Sequence, residues 1–190
     1  MTADQPRPLR ADAARNRARL LEVAYETFAA EGLSVPVDEI ARRAGVGAGT
    51  LYRHFPTKEA LFQAIVADRV QRLVDHAGHL RESAEPGPAL LAFLATMIRA
   101  AATDLGLAEA LAGTGVDIAQ IAPDAERSFM DALDALLVRA QQAGAVRGDI
   151  DVRDVKTLLV GWQAMQRYGG DADQTDRMLS ILSAGLRASP

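Results

Sequence analysis

The sequence contains no cysteine, which excludes a disulfide framework, a cysteine nucleophile and a thiolate metal site. Aromatic residues make up only 5% of the chain, although 49% of it is hydrophobic, so aliphatic side chains must fill the core. No apolar run is long enough to cross a bilayer. The N-terminus carries arginines without an apolar stretch behind them, unlike a secretory signal. We therefore expect a soluble, cytoplasmic protein with no membrane partner.

Signatures of catalysis and of metal binding are also scarce. There is no Gly-x-Ser-x-Gly elbow and no glycine-rich phosphate loop, so we predict no enzyme activity, no catalytic residues and no cofactor. The chain has three histidines. Two of them, His76 and His79, are spaced to share a helix face, but no HExxH pattern accompanies them and His54 lies in another segment. We expect no metal site and interpret the pair as solvated.

Helical periodicity dominates the sequence. Apolar residues recur at the i, i+3, i+4, i+7 spacing, and no strand-like alternation of useful length appears. The 190 residues are enough for one good core or two small ones. The pattern predicts an all-α fold with a small N-terminal head, residues 1–60, and a larger helical body, residues 61–190. Residues 1–12 are expected to form a flexible arm of the head.

Breaks in the apolar pattern predict the helices of the body. We expect a long helix from Lys58 to about His79, a Pro- and Gly-containing break at 83–88 and an apolar helix after it. A glycine-broken region at 103–123 and a helix at about 124–142 follow. The next helix runs from Val152 to Tyr168, with Asp151 as its N-cap and Gly169 and Gly170 after it, and Asp173 or Thr175 opens the last helix.

Residues 37–61 carry the most specific pattern. In a first short helix, apolar residues from Val37 to Ala44 fall on one side and two arginines on the other. Gly45 follows as a residue able to take positive φ and end the helix. A second short helix, from about Ala48 to His54, buries Leu51 and turns its polar residues outward.

Two short helices joined by a tight turn can place the second helix in the major groove of double-stranded DNA. The helical wheel assigns four residues to the outer face as candidate DNA contacts: Arg42, Arg43, Gly49 and Arg53. Arginine is the side chain that pairs bidentately with guanine. The alternative is an ordinary surface helix pair within some other helical protein.

This segment resembles the signature of the TetR/AcrR family of transcriptional regulators. The resemblance covers about residues 15 to 65 and rests on Ile40, Ala41, Ala44, Gly45, Val46, Gly49, Thr50, Leu51, Tyr52, His54, Phe55, Lys58, Glu59 and Leu61, with Arg17, Leu20, Leu21, Ala24, Phe28, Glu31 and Gly32 upstream. It implies DNA contacts by Thr50, Tyr52, His54 and Lys58. Pro36 and Gly47 depart from the family's capping residues, so we expect no phosphate contact from either of them.

The resemblance also implies a homodimer on a palindromic operator, with the last two helices of each subunit pairing as a four-helix bundle. The residues expected at this dimer interface are Leu158, Gly161, Met178, Ile181 and Leu182. One short recognition helix offers too few contacts to single out a genomic site, and two-fold symmetry doubles them. The alternative is that the last two helices pack only within one chain.

The family further implies a small-molecule effector pocket in the body. Candidate lining residues are Phe93, Met97, Phe129, Met130, Trp162 and Met165; the alternative is that they are simply core. Since few charged residues accompany them, we expect a neutral, largely apolar effector that releases a repressor from DNA.

The distribution of charge fits a DNA-binding head. The net charge is −4, but residues 1–60 hold nine Lys and Arg against eight Asp and Glu, so the acidic excess lies in the body. A second function stays open: a helical protein-interaction module, or one that binds DNA without sequence preference and without an effector.

Overall fold

The computed structural model describes residues 7–103, 118–166 and 172–188. This part of the chain is helical, as predicted, apart from turns and one isolated bridge between Val146 and Arg187. Its helices are α1 (Arg7–Glu31), α2 (Val37–Ala44), α3 (Ala48–His54), α4 (Lys58–Ser83), α5 (Pro86–Thr103), α6 (Ile118–Ile121), α7 (Pro123–Gln142), α8 (Val152–Gln166) and α9 (Ala172–Leu186). Within the described ranges, none of these helices has the length and apolar character needed to span a membrane.

The chain divides into two compact units, and α4 contributes to both. The first unit consists of residues 1–68 and 106–122, of which 7–68 and 118–122 are described. The second consists of residues 69–105 and 123–190. The change from one unit to the other along α4 falls between Asp68 and Arg69, whereas the boundary predicted from the sequence lies near the start of the same helix.

In the first unit, α1, α2, α3 and the start of α4 enclose an apolar core. Its fully buried large side chains are Leu20, Leu21, Phe28, Ile40, Leu51, Leu61 and Ile65. The ring of Phe28 meets that of Phe62 edge-on, with centroids 6.4 Å apart. Burial of apolar area of this kind is the main force that stabilises a small helical unit.

In the second unit, α5 lies at the centre, as its nearly continuous apolar sequence predicts. Four of its side chains are buried: Leu90, Phe93, Leu94 and Ile98. The ring of Phe93 lies between His76 of α4 and Phe129 of α7, at centroid distances of 6.3 and 6.2 Å. Phe93 is therefore the point where three helices of this unit meet.

The predicted break between α4 and α5 is shorter than the sequence indicated. α4 continues to Ser83, whose hydroxyl donates to the carbonyl of His79 at 2.7 Å. α5 then begins at Pro86. A proline is tolerated in the first turn because the amide it lacks has no partner there, so the Pro- and Gly-containing segment opens a helix instead of separating two.

The N-terminal arm is shorter than predicted as well. α1 begins at Arg7, so residues 7–12, which we assigned to a flexible arm, are helical. The run after Pro8 is rich in Ala and Arg, both strong helix formers, which explains why helix extends this far.

The remaining predictions concern the ends of α8 and α9 and the glycine-broken segment. Asp151 caps α8 as expected, since its Oδ1 accepts the amides of Arg153 and Asp154 at 2.7 and 3.1 Å. α9 begins at Ala172, before either predicted opening residue. Tyr168, Gly169 and Gly170 lie outside the described residues, and so do residues 104–117 of the segment predicted to be glycine-broken.

Candidate nucleic-acid interface

The turn between α2 and α3 is built by Gly45. This residue has φ 68°, the left-handed conformation that glycine adopts without steric cost. Its amide donates a hydrogen bond to the backbone carbonyl of Arg42 at 3.1 Å, and the amide of Val46 donates to the backbone carbonyl of Ala41 at 3.0 Å. These two bonds form a Schellman motif, so α2 stops sharply and only three residues separate it from α3. The conformation predicted for Gly45 is confirmed.

The amphipathic character of α3 fixes which side chains face outward. Leu51 is fully buried and Phe55, which follows the helix, is 4% exposed. Tyr52, Arg53 and His54 are exposed on the opposite side. α3 therefore presents a phenol, a guanidinium and an imidazole from one turn of helix, a set of groups that can bind phosphates and base edges.

The start of α3 is open. Gly49 is exposed, and a Cβ atom placed on it meets no other atom within 4 Å. Thr50 is half-buried, and its amide donates to Gly47 at 2.9 Å. Neither Gly47 before α3 nor Pro36 before α2 provides a side-chain cap, as their sequence predicts. First-turn amides without a side-chain cap are suited to bind an anion.

The two arginines of α2 are engaged in ion pairs. Arg42 donates from Nε and Nη2 to both carboxylate oxygens of Glu39, each at 2.7 Å. Arg43 donates from Nε to Glu39 at 2.7 Å and from its terminal nitrogens to Glu31 at the end of α1. Arg43 thus ties α1 to α2, a role that the helical wheel did not indicate.

These pairs favour the charged forms of all four side chains. Hydrogen bonds from Arg42 and then Arg43 lower the pKa of Glu39 to about 2. The hydrogen bond from Arg43 lowers the pKa of Glu31. The same contacts, with Glu31 first, raise the pKa of Arg43. The carboxylate of Glu39 is consequently charged at every pH near neutrality.

Lys58, at the start of α4, faces partly inward. Its Nζ donates to the backbone carbonyl of Val35 at 2.7 Å and lies 5.7 Å from the centroid of the Phe28 ring. The side chain is half-buried. Thr57 caps the same helix end, since its Oγ1 accepts a hydrogen bond from the amide of Ala60 at 3.1 Å. Lys58 therefore connects the start of α4 to the loop before α2.

Two arginines of α1 also lie beside the α2–α3 pair. The guanidinium of Arg17 stacks over the ring of Phe55 at 5.6 Å. Arg19 Nη2 lies 3.4 Å from the position that a Cβ atom on Gly45 would occupy. Helical periodicity gives no contact between helices, so it did not place either arginine beside the α2–α3 pair.

The candidate effector residues fall into three groups. Phe93, Phe129 and Trp162 are buried, and Trp162 Nε1 donates to the carbonyl of Ile98 at 3.4 Å. Met97 and Met130 are half-buried. Met165 is 46% exposed, so it does not lie in the interior of this unit with the other five.

The candidate dimer residues lie on the outside of α8 and α9. Leu158 is 50% exposed and Ile181 is 64% exposed. Gly161 is exposed, and Met178 and Leu182 are half-buried. Exposed apolar side chains that lie close together often mark a surface that binds another protein.

His76 and His79 differ from the pair that we expected. His79 is exposed, but His76 is half-buried against Phe93, and its Nε2 lies 3.3 Å from the hydroxyl of Thr96. The spacing that placed the two histidines near one face did not reveal that α5 covers one of them. Within the described residues, no group of His, Asp and Glu side chains is arranged to hold a metal ion.

Comparison with known proteins identifies the family. Residues 20–65 match the family model described as bacterial regulatory proteins, tetR family, and residues 85–188 match the C-terminal domain of SbtR-like transcriptional regulators. The second match alone covers more than half of the chain. The chain belongs to the TetR family. Members of this family are transcriptional regulators and not enzymes, so the predicted family, its fold and the absence of enzyme activity are confirmed.

Solved TetR-family structures match this chain over most of its length. The TetR transcription regulatory protein from Mycobacterium vanbaalenii is 55% identical, with 95% of this chain and 100% of that chain covered and a TM-score of 0.76. The regulator SCO0520 from Streptomyces coelicolor is 36% identical over 92% of this chain and 99% of its own, with a TM-score of 0.71.

The curated relatives match a shorter stretch. The HTH-type transcriptional regulator SAUSA300_2515 of Staphylococcus aureus (strain USA300) is 33% identical over 75 residues, which is 39% of this chain and 40% of that relative. The chain therefore matches less than half the length of this regulator.

Proposed function

We propose that this TetR-family chain forms a homodimer that binds a palindromic operator in double-stranded DNA and represses transcription until a small, largely apolar effector releases it. The observation that carries the proposal is the α2–α3 pair. Gly45 ends α2 sharply, Leu51 anchors α3 in the core, and Tyr52, Arg53 and His54 remain exposed. In helix-turn-helix proteins the second helix enters the major groove and the first crosses the backbone.

The exposed residues of α3 are proposed to have different roles in binding DNA. Arg53 is the base-reading candidate because a guanidinium pairs bidentately with guanine. Thr50, Tyr52 and His54 are proposed to contact phosphates or base edges, and Gly49 to allow close approach of the backbone. From α2, Arg42 is proposed to contact phosphate. Arg43 and Lys58 have internal partners, so any contact of theirs with DNA adds to a structural role.

The dimer is proposed to form through α8 and α9. Leu158, Gly161 and Met165 recur along one side of α8, and Met178 and Ile181 along one side of α9. The exposure of Leu158 and Ile181 supports this assignment, since covering such side chains is favourable. Two heads related by two-fold symmetry then require two half-sites related by the same symmetry.

Release by an effector is proposed to act through α4. This helix contributes to both compact units, and His76 on it contacts Phe93 at the centre of the second unit. An effector that binds beside Phe93, Phe129 and Trp162 can change DNA affinity only under one condition. It must bind more tightly to one of two conformations of the protein that differ at the contact between His76 and Phe93. The site of action is the bacterial cytoplasm, where a regulator meets the chromosome.

Selection from a random duplex library tests the DNA-binding part. We expect the enriched sequences to contain a palindrome, and fluorescence anisotropy to show tighter binding to it than to a scrambled duplex of equal length. Arg53→Ala should lose preference at one half-site position, worth about 1–3 kcal/mol. The control Arg127→Ala, an exposed arginine of α7, should leave the enriched sequence unchanged.

The outcome also separates the second candidate function. Salt-sensitive binding without sequence preference would favour a non-specific module, and no binding to any duplex would favour a protein-interaction module. Either result contradicts the proposal.

Trp162 offers a test of the effector, because it is the single tryptophan of the chain and is 7% exposed. A panel of neutral apolar compounds is titrated while tryptophan fluorescence and operator affinity are followed together. A compound that changes both supports coupling. A compound that changes the fluorescence at unaltered operator affinity contradicts it.

A further inference from the structure

The α2 surface carries a carboxylate at the place where a DNA-binding helix needs positive charge. Glu39 Oε1 accepts hydrogen bonds from Arg42 and Arg43, and Oε2 accepts a second bond from Arg42, all at 2.7 Å. A carboxylate and a phosphate accept the guanidinium fork in the same bidentate way. In the free protein, Glu39 therefore occupies the donors that DNA phosphate would use.

The two arginines are not held equally. The side chain of Arg42 is 74% exposed and is paired with Glu39. The side chain of Arg43 is 35% exposed and is paired with Glu39 and with Glu31. Exchanging the partner of Arg42 thus requires the loss of one exposed ion pair, whereas freeing Arg43 breaks contacts to two carboxylates, one of which links α2 to α1.

The position of Glu39 in the helix pair decides what this carboxylate affects. The first helix of a helix-turn-helix crosses the DNA backbone, and phosphate contacts carry no sequence information. A negative charge next to Arg42 hence weakens contact with the backbone of every duplex to the same degree. It does not alter which bases α3 prefers.

We propose that Glu39 sets the overall DNA affinity of the head by acting as an internal substitute for phosphate: it holds Arg42 in the free protein and gives it up to the DNA backbone on binding. The inference rests on the proposed function, since it requires that α2 lie against DNA. Arg43 is in this view a positioning residue that joins α1 to α2, and Arg42 is the side chain that exchanges partners.

The lowered pKa of Glu39 is consistent with this arrangement, because the carboxylate stays charged under all conditions used for DNA binding.

The test compares Glu39→Gln with Glu31→Gln in the full-length protein. Both variants remove one negative charge, but only the first frees Arg42. Affinities for the selected operator and for a scrambled duplex are measured over a range of salt concentrations. We expect Glu39→Gln to bind both duplexes about threefold more tightly per head, because Arg42 no longer has to leave an ion pair. The slope of log affinity against log salt should equal that of the wild type, because Arg42 contacts the backbone in both complexes.

Three further results decide the matter. The sequence enriched by Glu39→Gln should equal that of the wild type. Arg42→Gln alone should weaken binding to both duplexes, and in the Glu39→Gln background it should abolish the gain. An equal gain from Glu31→Gln, or unchanged affinity of Arg42→Gln, would overturn the inference. Failure of the wild type to bind any duplex would instead overturn the proposed function.

Discussion

At the scale of single residues, local pattern predicted burial well and ionic contacts poorly. The helical wheel placed Leu51 inward and Arg53 outward, and the structure agrees. It also turned Arg43 outward but gave no sign of Glu31, because that partner lies twelve residues earlier, at the end of another helix. Contacts of this kind depend on how the loop between the helices runs.

Lys58 was expected to contact DNA, and the structure adds contacts within the protein that give it a structural role. Lys58→Met removes the hydrogen bond to the carbonyl of Val35 and the charge over Phe28. We expect the free energy of unfolding to fall by about 1–2 kcal/mol and binding to weaken for all DNA sequences. Urea unfolding and anisotropy measure the two effects. The control Arg81→Met, at an exposed position of α4, should change neither. Full stability together with lost DNA binding would assign Lys58 to DNA alone.

Glu39 makes stability depend on pH in a predictable direction. Its pKa is about 2 in the folded protein and 4.5 as the reference for the unfolded chain. A lowered pKa stabilises the fold fully above pH 4.5, and this stabilisation is lost as the pH falls toward 2. The Tm of the wild type should therefore exceed that of Glu39→Gln at neutral pH, and the difference should shrink between pH 4.5 and 2. Parallel curves of Tm against pH for the two proteins would contradict this account.

At the scale of elements, turn and capping residues predicted the helix-turn-helix to the residue. Gly45 ends α2 and Thr57 caps α4 because each position demands a specific backbone or hydrogen bond that few residues supply. Helix ends without such a demand were predicted less well. α5 starts at Pro86 and α1 at Arg7, because proline breaks a helix only beyond its first turn.

The cap of α8 allows the energy of one such element to be measured. Asp151 accepts the amides of Arg153 and Asp154, and the Asp154 carboxylate accepts the amide of Asp151 at 2.9 Å. This reciprocal arrangement is a capping box. Asp151→Ala should lower the free energy of unfolding by about 1 kcal/mol, measured by urea unfolding at one fixed protein concentration. Asp134→Ala, at an exposed position inside α7, is the matched control, and an equal loss in both variants would rule out the cap as the cause.

At the scale of the whole molecule, the sequence predicted the helical architecture and the family but left the role of its outer surfaces open. An exposed leucine or isoleucine reads in a sequence like any other apolar residue of a helix. The structure separates them: Leu159 of α8 is 6% exposed, whereas its neighbour Leu158 is 50% exposed. Internal packing therefore does not account for the apolar residues on the outside of α8 and α9, and a second copy of the chain is the partner that we propose for them.

Ile181→Arg tests this assignment, because Ile181 is the most exposed of the large hydrophobic side chains described, at 64%. In a monomer the substitution costs almost nothing, since the side chain already faces water. In a dimer it places an unpaired charge in each half of a symmetric interface. We expect the dissociation constant of the dimer to rise at least about tenfold, while the helical circular dichroism stays unchanged. The variant should also bind the palindrome more weakly than the wild type does.

Light scattering over a range of concentrations measures the dissociation directly. The control is Val138→Arg, where the side chain is 38% exposed and belongs to α7, which is not one of the two helices proposed to form the interface. This variant should remain dimeric. If Ile181→Arg stays dimeric at the same concentrations as the wild type, the interface lies elsewhere. If the wild type itself is monomeric and still prefers a palindrome, DNA must bring the two heads together, because one head reads only one half-site.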